Sequence, residues 1–183
     1  MRLAKQRKPR PPLNGAKLNE LALAYVGRFA TTRAKLRSYL KRKVRERGWD
    51  GGPAADIDGL AERFAAQGYV DDAAFALSKS RSLTGRGYGV RRVDQALRVA
   101  GVEDEDALSA LHAARTDSVE AALRFAERRR LGPFASEATD RKGRERALAA
   151  MIRAGHSFDL ARAILALPPG TEVDAADLSE NSG

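Results

Sequence analysis

The sequence predicts an all-α protein built from tandem units of three short helices. Two observations carry this reading. Apolar residues recur at three- and four-residue spacing along most of the chain, and no stretch reads as a convincing strand. Gly48, Gly101 and Gly155 each close a helical stretch, lie 53 and 54 residues apart, and are each preceded four residues earlier by an apolar side chain (Val44, Leu97, Met151). Another short helix follows each glycine, so the period suits a solenoid or an elongated chain of bundles. The expected division is a disordered basic arm over residues 1–14, three-helix units over 15–67, 68–116 and 117–168, and a disordered acidic tail over 169–183.

The elements follow in order. Residues 1–14 carry Arg2, Lys5, Arg7, Lys8 and Arg10 among prolines, with little to bury. From Lys17 to Phe29, Leu18, Leu21, Ala22, Tyr25 and Phe29 share one helical face. Thr31 and Thr32 break that helix and cap the next, about Arg33 to Glu46, which buries Leu36, Tyr39, Leu40 and Val44. Gly48 stops it, and Pro53 is placed to open a third helix carrying Ile57, Leu60, Ala61 and Phe64. Gly68 ends the first unit. Asp71 then caps a helix, with Val70 and Phe75 at the spacing of a hydrophobic staple. Gly85, Gly87 and Gly89 interrupt it before a helix with Val90, Val93 and Leu97 on one face, closed by Gly101. Glu103, Asp104, Glu105 and Asp106 crowd the next helix start, where the dipole favours them. Asp117 and Glu120 have capping-box spacing ahead of Val119, Ala122, Leu123 and Ala126, and Leu131-Gly132-Pro133 ends that helix. A basic helix covers about Ala138 to Ala154. Ser157 caps a last one with Leu160, Ala161, Ile164 and Leu165, stopped by Pro168-Pro169-Gly170.

Charge is distributed unevenly. Of the formal net charge of +9, residues 1–50 supply 15 bases against 3 acids, and the rest of the chain is slightly acidic. Such clustering favours a polyanion or an acidic groove as partner. In the second helix, Arg33, Arg37, Lys41 and Arg45 fall four apart as a cationic stripe, widened by Lys35, Arg42 and Lys43. Like charges at that spacing repel, so packing of the other face or an anionic partner must offset the cost.

Several chemistries are excluded or weak. The chain has no cysteine, which removes disulfides, thiol nucleophiles and thiolate metal sites. No apolar run is long enough to span a bilayer, and the basic N-terminus lacks the apolar core of a secretion signal, so a cytoplasmic location with no membrane partner is expected. The two histidines lie far apart: His112 reads as a half-buried packing residue and His156 as part of a turn after a helix-stop glycine. Asp71-Asp72 is explained by capping, and Gly85-x-Gly87-x-Gly89 follows a helix without a Gly-Lys-Ser/Thr, so it reads as a turn and not a phosphate loop. Trp49 reads as a plug between units, with base stacking as the alternative. No catalytic set, metal site or cofactor site assembles. What remains is sequence-independent contact of cations with phosphates.

The stretch Gly68-Tyr69-Val70-Asp71-Asp72-Ala73-Ala74-Phe75-Ala76, then Gly85-Arg86-Gly87-Tyr88-Gly89-Val90-Arg91-Arg92-Val93 and a helix ending Ala100-Gly101-Val102, resembles the RecX family. The likeness extends to Ala24-Tyr25-Val26, Arg28, Thr32 and Leu36, and to Arg153-Ala154-Gly155-His156-Ser157, covering about residues 18–167. Val90 stands where the family usually has proline, Ala96 where it has Glu, and Lys35 where a Glu would complete a capping box with Thr32. The resemblance implies tandem three-helix units in an elongated, curved molecule. It also implies a non-enzymatic regulator that lodges in the groove of the RecA–DNA filament and restrains ATPase, strand exchange and coprotease activity. It places partner contacts on Arg86, Arg91, Arg92 and Arg98; charge alone adds Arg33, Arg37, Lys41 and Arg45. The expected partners are the RecA filament and single- or double-stranded DNA, met by a monomer. The competing reading is a stand-alone, sequence-independent helical DNA-binding protein.

Overall fold

The computed structural model describes residues 11–175 and residue 178. Among these, nine α-helices and one 3-10 turn, Gly132–Phe134, form an all-α architecture, and the β pairing is limited to an isolated parallel bridge between Leu13 and Trp49. The helices are α1 (Gly15–Val26), α2 (Arg33–Arg47), α3 (Ile57–Ala66), α4 (Asp72–Thr84), α5 (Val90–Ala100), α6 (Asp104–Thr116), α7 (Ser118–Arg129), α8 (Arg141–Arg153) and α9 (Phe158–Ala166). They fall into three successive groups of three. The chain forms two compact bodies, residues 1–71 and 72–183, and the second holds two of the three hydrophobic cores.

In the first body, α1–α3 enclose Leu18, Ala22, Leu36, Leu40, Leu60 and Phe64. Asn14 caps α1 by accepting from the Lys17 N–H (3.0 Å), and Thr32 caps α2 by accepting from the Lys35 N–H (3.2 Å). Tyr25 and Tyr39 stack at 4.2 Å between ring centres and tie α1 to α2. Helix α3 starts later than Pro53 suggests. Asp56 caps it by accepting from the Gly59 N–H (2.9 Å), while the Pro53 carbonyl accepts from Trp49 Nε1–H (2.7 Å). Trp49 therefore anchors its own loop and packs on the first core. Residues 1–10 of the expected arm lie outside the described residues, but residues 11–14 depart from it. Leu13 is fully buried, its N–H donates to the Gly48 carbonyl (3.0 Å), and its carbonyl accepts from the Asp50 N–H (2.8 Å).

In the second body, α4 packs on α6 through small side chains, Ala76, Ser80, Ala107, Ala110 and Ala114, and the buried Ser80 hydroxyl donates to the Ala110 carbonyl (2.9 Å). The alanine-rich sequence of α6 is thus a close-approach surface. His112 lies on the outer side of that helix, exposed rather than half-buried. The third core gathers Phe125, Met151, Leu160 and Ile164. Asp117 makes no side-chain cap bond to α7, and Glu120 instead pairs with Arg124 (3.1 Å), so the expected capping box does not form. Asp140 caps α8 by accepting from the Gly143 N–H (2.7 Å), and Ser157 caps α9 by accepting from the Leu160 N–H (3.3 Å). Residues 176, 177 and 179–183 of the expected disordered tail lie outside the described residues, but residues 169–175 and 178 depart from it. The Gly170 N–H donates to the Pro133 carbonyl (2.8 Å), and Val173 and Leu178 pack on the third core.

The two cores of this body meet at a seam of main chain. The Gly89 N–H donates to the Ala154 carbonyl (3.0 Å) and the Arg91 N–H to the Gly155 carbonyl (3.2 Å). Gly89 has an ordinary φ of −82°, so it is space and not backbone angle that demands glycine: a Cβ there would stand 2.3 Å from the Gly155 oxygen. Gly155 needs both, with φ +100° and a Cβ position 2.5 Å from the Arg92 nitrogen. Tyr88, between them, packs on both cores. Gly89→Ala is expected to destabilise residues 72–183 by about 1–3 kcal/mol, because backbone must move. Gly68→Ala, at φ +76° with open space around it, carries only the conformational cost of about 1 kcal/mol. Hydrogen exchange resolved by residue checks this; equal losses for the two variants would contradict the steric account.

Candidate nucleic-acid interface

The cations singled out in the sequence divide into two groups. Those of α2 face carboxylates of α3. Arg33 Nη1 lies 3.5 Å from Glu62 Oε2, Arg37 pairs with Glu62 through Nη2 and sits 3.3 Å from Asp58 Oδ1 through Nε, and Lys41 Nζ is 3.8 Å from Asp58 Oδ1. The packing of α3 on α2 thus answers the repulsion within the stripe. On the other flank, Arg42 and Lys43 share Glu46 at 3.2 and 2.7 Å, and the Lys43 hydrogen bond holds that carboxyl below its usual range. Arg45 is exposed and has no such partner among the described residues.

The cations around the seam are less neutralised. Arg91 and Arg92 occupy the first turn of α5, which carries no acidic residue, and both are exposed. A cation there faces the positive end of the helix dipole, unfavourable by about 0.3–1 kcal/mol. Among the described residues Arg92 reaches the neutral Gln95 (2.8 Å) and no carboxylate, and the Arg91 side chain has no acidic partner. Arg86 donates to the Ser82 carbonyl (3.0 Å) and lies over the Tyr88 ring, while its own carbonyl accepts from Arg128. Arg98 differs: both oxygens of Asp94 lie 3.1 Å from its Nε, and that bond raises the guanidinium pKa. Beyond it, Val99 stands 82 % exposed on the outer face of α5. Arg128 and His156 are not conspicuous in the sequence. Arg128 reads as an ordinary C-terminal helix cation, and its place beside Arg86 follows from the third group docking on the second. For His156 the one sequence signal is its position directly after the third repeat glycine.

His156 is buried in the seam at 2 % exposure. Its Nε2–H donates to the Gly87 carbonyl (3.1 Å), its ring tilts against Phe125, and Nδ1 is buried with no hydrogen-bond partner. Burial lowers its pKa below the ordinary 6.5, and the Gly87 bond opposes that shift.

These features define a class: a basic helical-repeat protein with exposed arginines on helix starts and loops. Among the described residues no group of His, Cys, Asp or Glu could hold a metal ion, and no helix is long and apolar enough to cross a membrane. Residues 71–111 match the family model described as RecX, second three-helix domain. The chain is 34 % identical over 171 residues to the regulatory protein RecX of Myxococcus xanthus, covering 88 % of this chain and 91 % of that one. It is 32 % identical over 151 residues to that of Agrobacterium fabrum, covering 80 % and 79 %. The chain belongs to the RecX family of regulatory proteins. Its fold is also similar to the crystal structure of RecX from Lactobacillus salivarius, with a TM-score of 0.65 at 20 % identity over 81 % of this chain and 92 % of that one.

Two outcomes test the electrostatics. The folded-state pKa of His156 lies below the unfolded one, so the unfolded chain binds the proton first as pH falls. The contribution is therefore complete above about pH 6.5 and is lost as pH drops from there through the folded-state value. Denaturant unfolding between pH 7 and 5 is expected to show this loss in the native chain and a shallower dependence in His156→Gln, which keeps an N–H for Gly87; identical slopes would contradict it. Separately, Asp58→Asn with Glu62→Gln is expected to change stability by less than about 1 kcal/mol, because both carboxylates are largely exposed. The same pair should strengthen binding to a DNA oligonucleotide severalfold by releasing Arg33, Arg37 and Lys41. Gel-shift titration reads the change.

Proposed function

We propose that this protein regulates the bacterial recombinase RecA. It binds the RecA–DNA filament along its groove and restrains ATP hydrolysis, strand exchange and coprotease activity. The observation that carries this reading is kinship with regulatory RecX proteins over most of the chain's length, 91 % of the Myxococcus xanthus protein. Exposed cations support it chemically, since a filament offers both a polyanion and acidic protein surface. Contact is assigned first to Arg86, Arg91 and Arg92, with Arg45 from the first body. Arg33, Arg37, Lys41 and Arg98 are secondary contacts, because each must first be drawn from a carboxylate. The protein acts as a cytoplasmic monomer, without a cofactor and without catalysing a reaction of its own.

The purified chain is expected to lower the DNA-dependent ATP hydrolysis of RecA at near-equal or smaller amounts. Arg91→Ala with Arg92→Ala should blunt that effect and lower the salt slope of binding to single-stranded DNA by about 1.4, roughly 0.7 for each lost phosphate contact. If bare DNA binds as tightly as preformed filaments and ATP hydrolysis is unmoved, the protein is a stand-alone DNA binder and the regulator reading fails.

A further inference from the structure

A cleft of about 290 Å³ opens beside the seam within residues 72–183. Three helices contribute to it from their starts: α5 through Gly89 and Arg91, α7 through Ser118, and α9 through Ser157. Arg115, from the last turn of α6, and His156 complete the polar wall, and no acidic residue lines it.

The chemistry of this wall suits an anion. Arg91 and Arg115 are both exposed, and neither has an acidic partner among the described residues. Arg91 is held at the wrong end of its helix for a cation, a placement that an anion beside it reverses into a favourable one. The Ser157 hydroxyl accepts from the Leu160 N–H and keeps its own hydrogen to donate; the Ser118 hydroxyl has no partner among the described residues. His156 also borders the wall; with its Nε2–H given to the Gly87 carbonyl, its Nδ1 is a lone-pair acceptor and is not one of the donors offered to an anion. Two guanidiniums, two hydroxyls and the positive ends of helices are the donor set that phosphate oxygens take. The volume lies at the small end of ligand clefts and is enough for a phosphate group.

We propose that this cleft is a phosphate-binding site, with Arg91 and Arg115 as its clamp and the Ser118 and Ser157 hydroxyls as its orienting donors. The proposal rests on the reading of this chain as a polynucleotide-associated regulator and narrows it to a place, yet it is tested on the protein alone. Its phosphate comes either from a strand backbone or from free phosphate.

The test titrates the full chain with inorganic phosphate and, separately, with a single-stranded oligonucleotide, by calorimetry. It compares Arg115→Gln with Arg141→Gln, a variant of equal charge change at an exposed residue that pairs with Glu145 and lies outside the cleft. Arg115→Gln is expected to weaken binding of at least one probe about tenfold, and Arg141→Gln less than about twofold. An effect on the oligonucleotide alone assigns the phosphate to a strand backbone, and an effect on inorganic phosphate alone assigns it to the free ion. Equal effects of the two variants on both probes, or none, overturn the site. Since both positions are exposed, an unchanged circular dichroism spectrum excludes misfolding, and Ser118→Ala gives a second variant with no charge change. Inhibition of RecA is scored independently. A chain that binds phosphate as described but leaves RecA untouched overturns the regulator reading and keeps the cleft.

Discussion

Within residues 72–183 the decisive constraint is how closely two stretches of main chain approach. Gly89 and Gly155 come within a distance at which neither tolerates a Cβ, and two backbone hydrogen bonds lock them there. Much follows from that contact. It sets where α5 begins, and so where Arg91 and Arg92 point. It turns Tyr88 onto both cores and places His156 beneath Gly87 with Phe125 against its ring. The glycine-rich turn reads in the sequence as a turn and not a phosphate loop, and its glycines at 87 and 89 serve close packing of protein on protein. The phosphate cleft proposed for this protein lies beside that seam because the same contact brings three helix starts together.

Electrostatics distributes the cations between two fates. In α2 the four-residue spacing creates repulsion, and α3 relieves it by presenting Asp58 and Glu62 to the stripe. These pairs are exposed and contribute little to stability; their effect is to reduce the free positive charge on that face. Around the seam no such acids are supplied to Arg91, Arg92 or Arg115 among the described residues, and the first two are disfavoured by their own helix dipole. An uncompensated cation in an unfavourable local field is a better pointer to an anionic partner than a dense charge run whose counter-charges lie one helix away. By that measure, among the described residues, Arg91, Arg92 and Arg115 are less neutralised than Arg33, Arg37 and Lys41 of the α2 stripe.

The helical architecture was legible because it is locally encoded. Apolar spacing, caps, glycine stops and charged helix starts together located the nine helices of the described residues, and capping residues such as Thr32 and Ser157 set starts to the residue. The glycine period marked the ends of α2, α5 and α8, where Gly48, Gly101 and Gly155 all take positive φ. Two departures came from nonlocal partners: Leu13 left the expected arm because the Gly48–Asp50 loop pairs with it, and Val173 and Leu178 left the expected tail because the third core receives them. The capping box of α7 failed locally, Glu120 pairing with Arg124 one turn on.

Period, caps and composition are properties of neighbouring residues, and they suffice to read this chain as a string of short helices grouped in threes, with a basic first quarter and the motif of its family. Helix packing settles which of the described cations lack a carboxylate partner, why the glycines at 87 and 89 are needed, and that Arg91, Arg115 and His156 border one cleft. Residues separated by dozens of positions become electrostatic and steric neighbours only when helices pack, and no local pattern records that pairing.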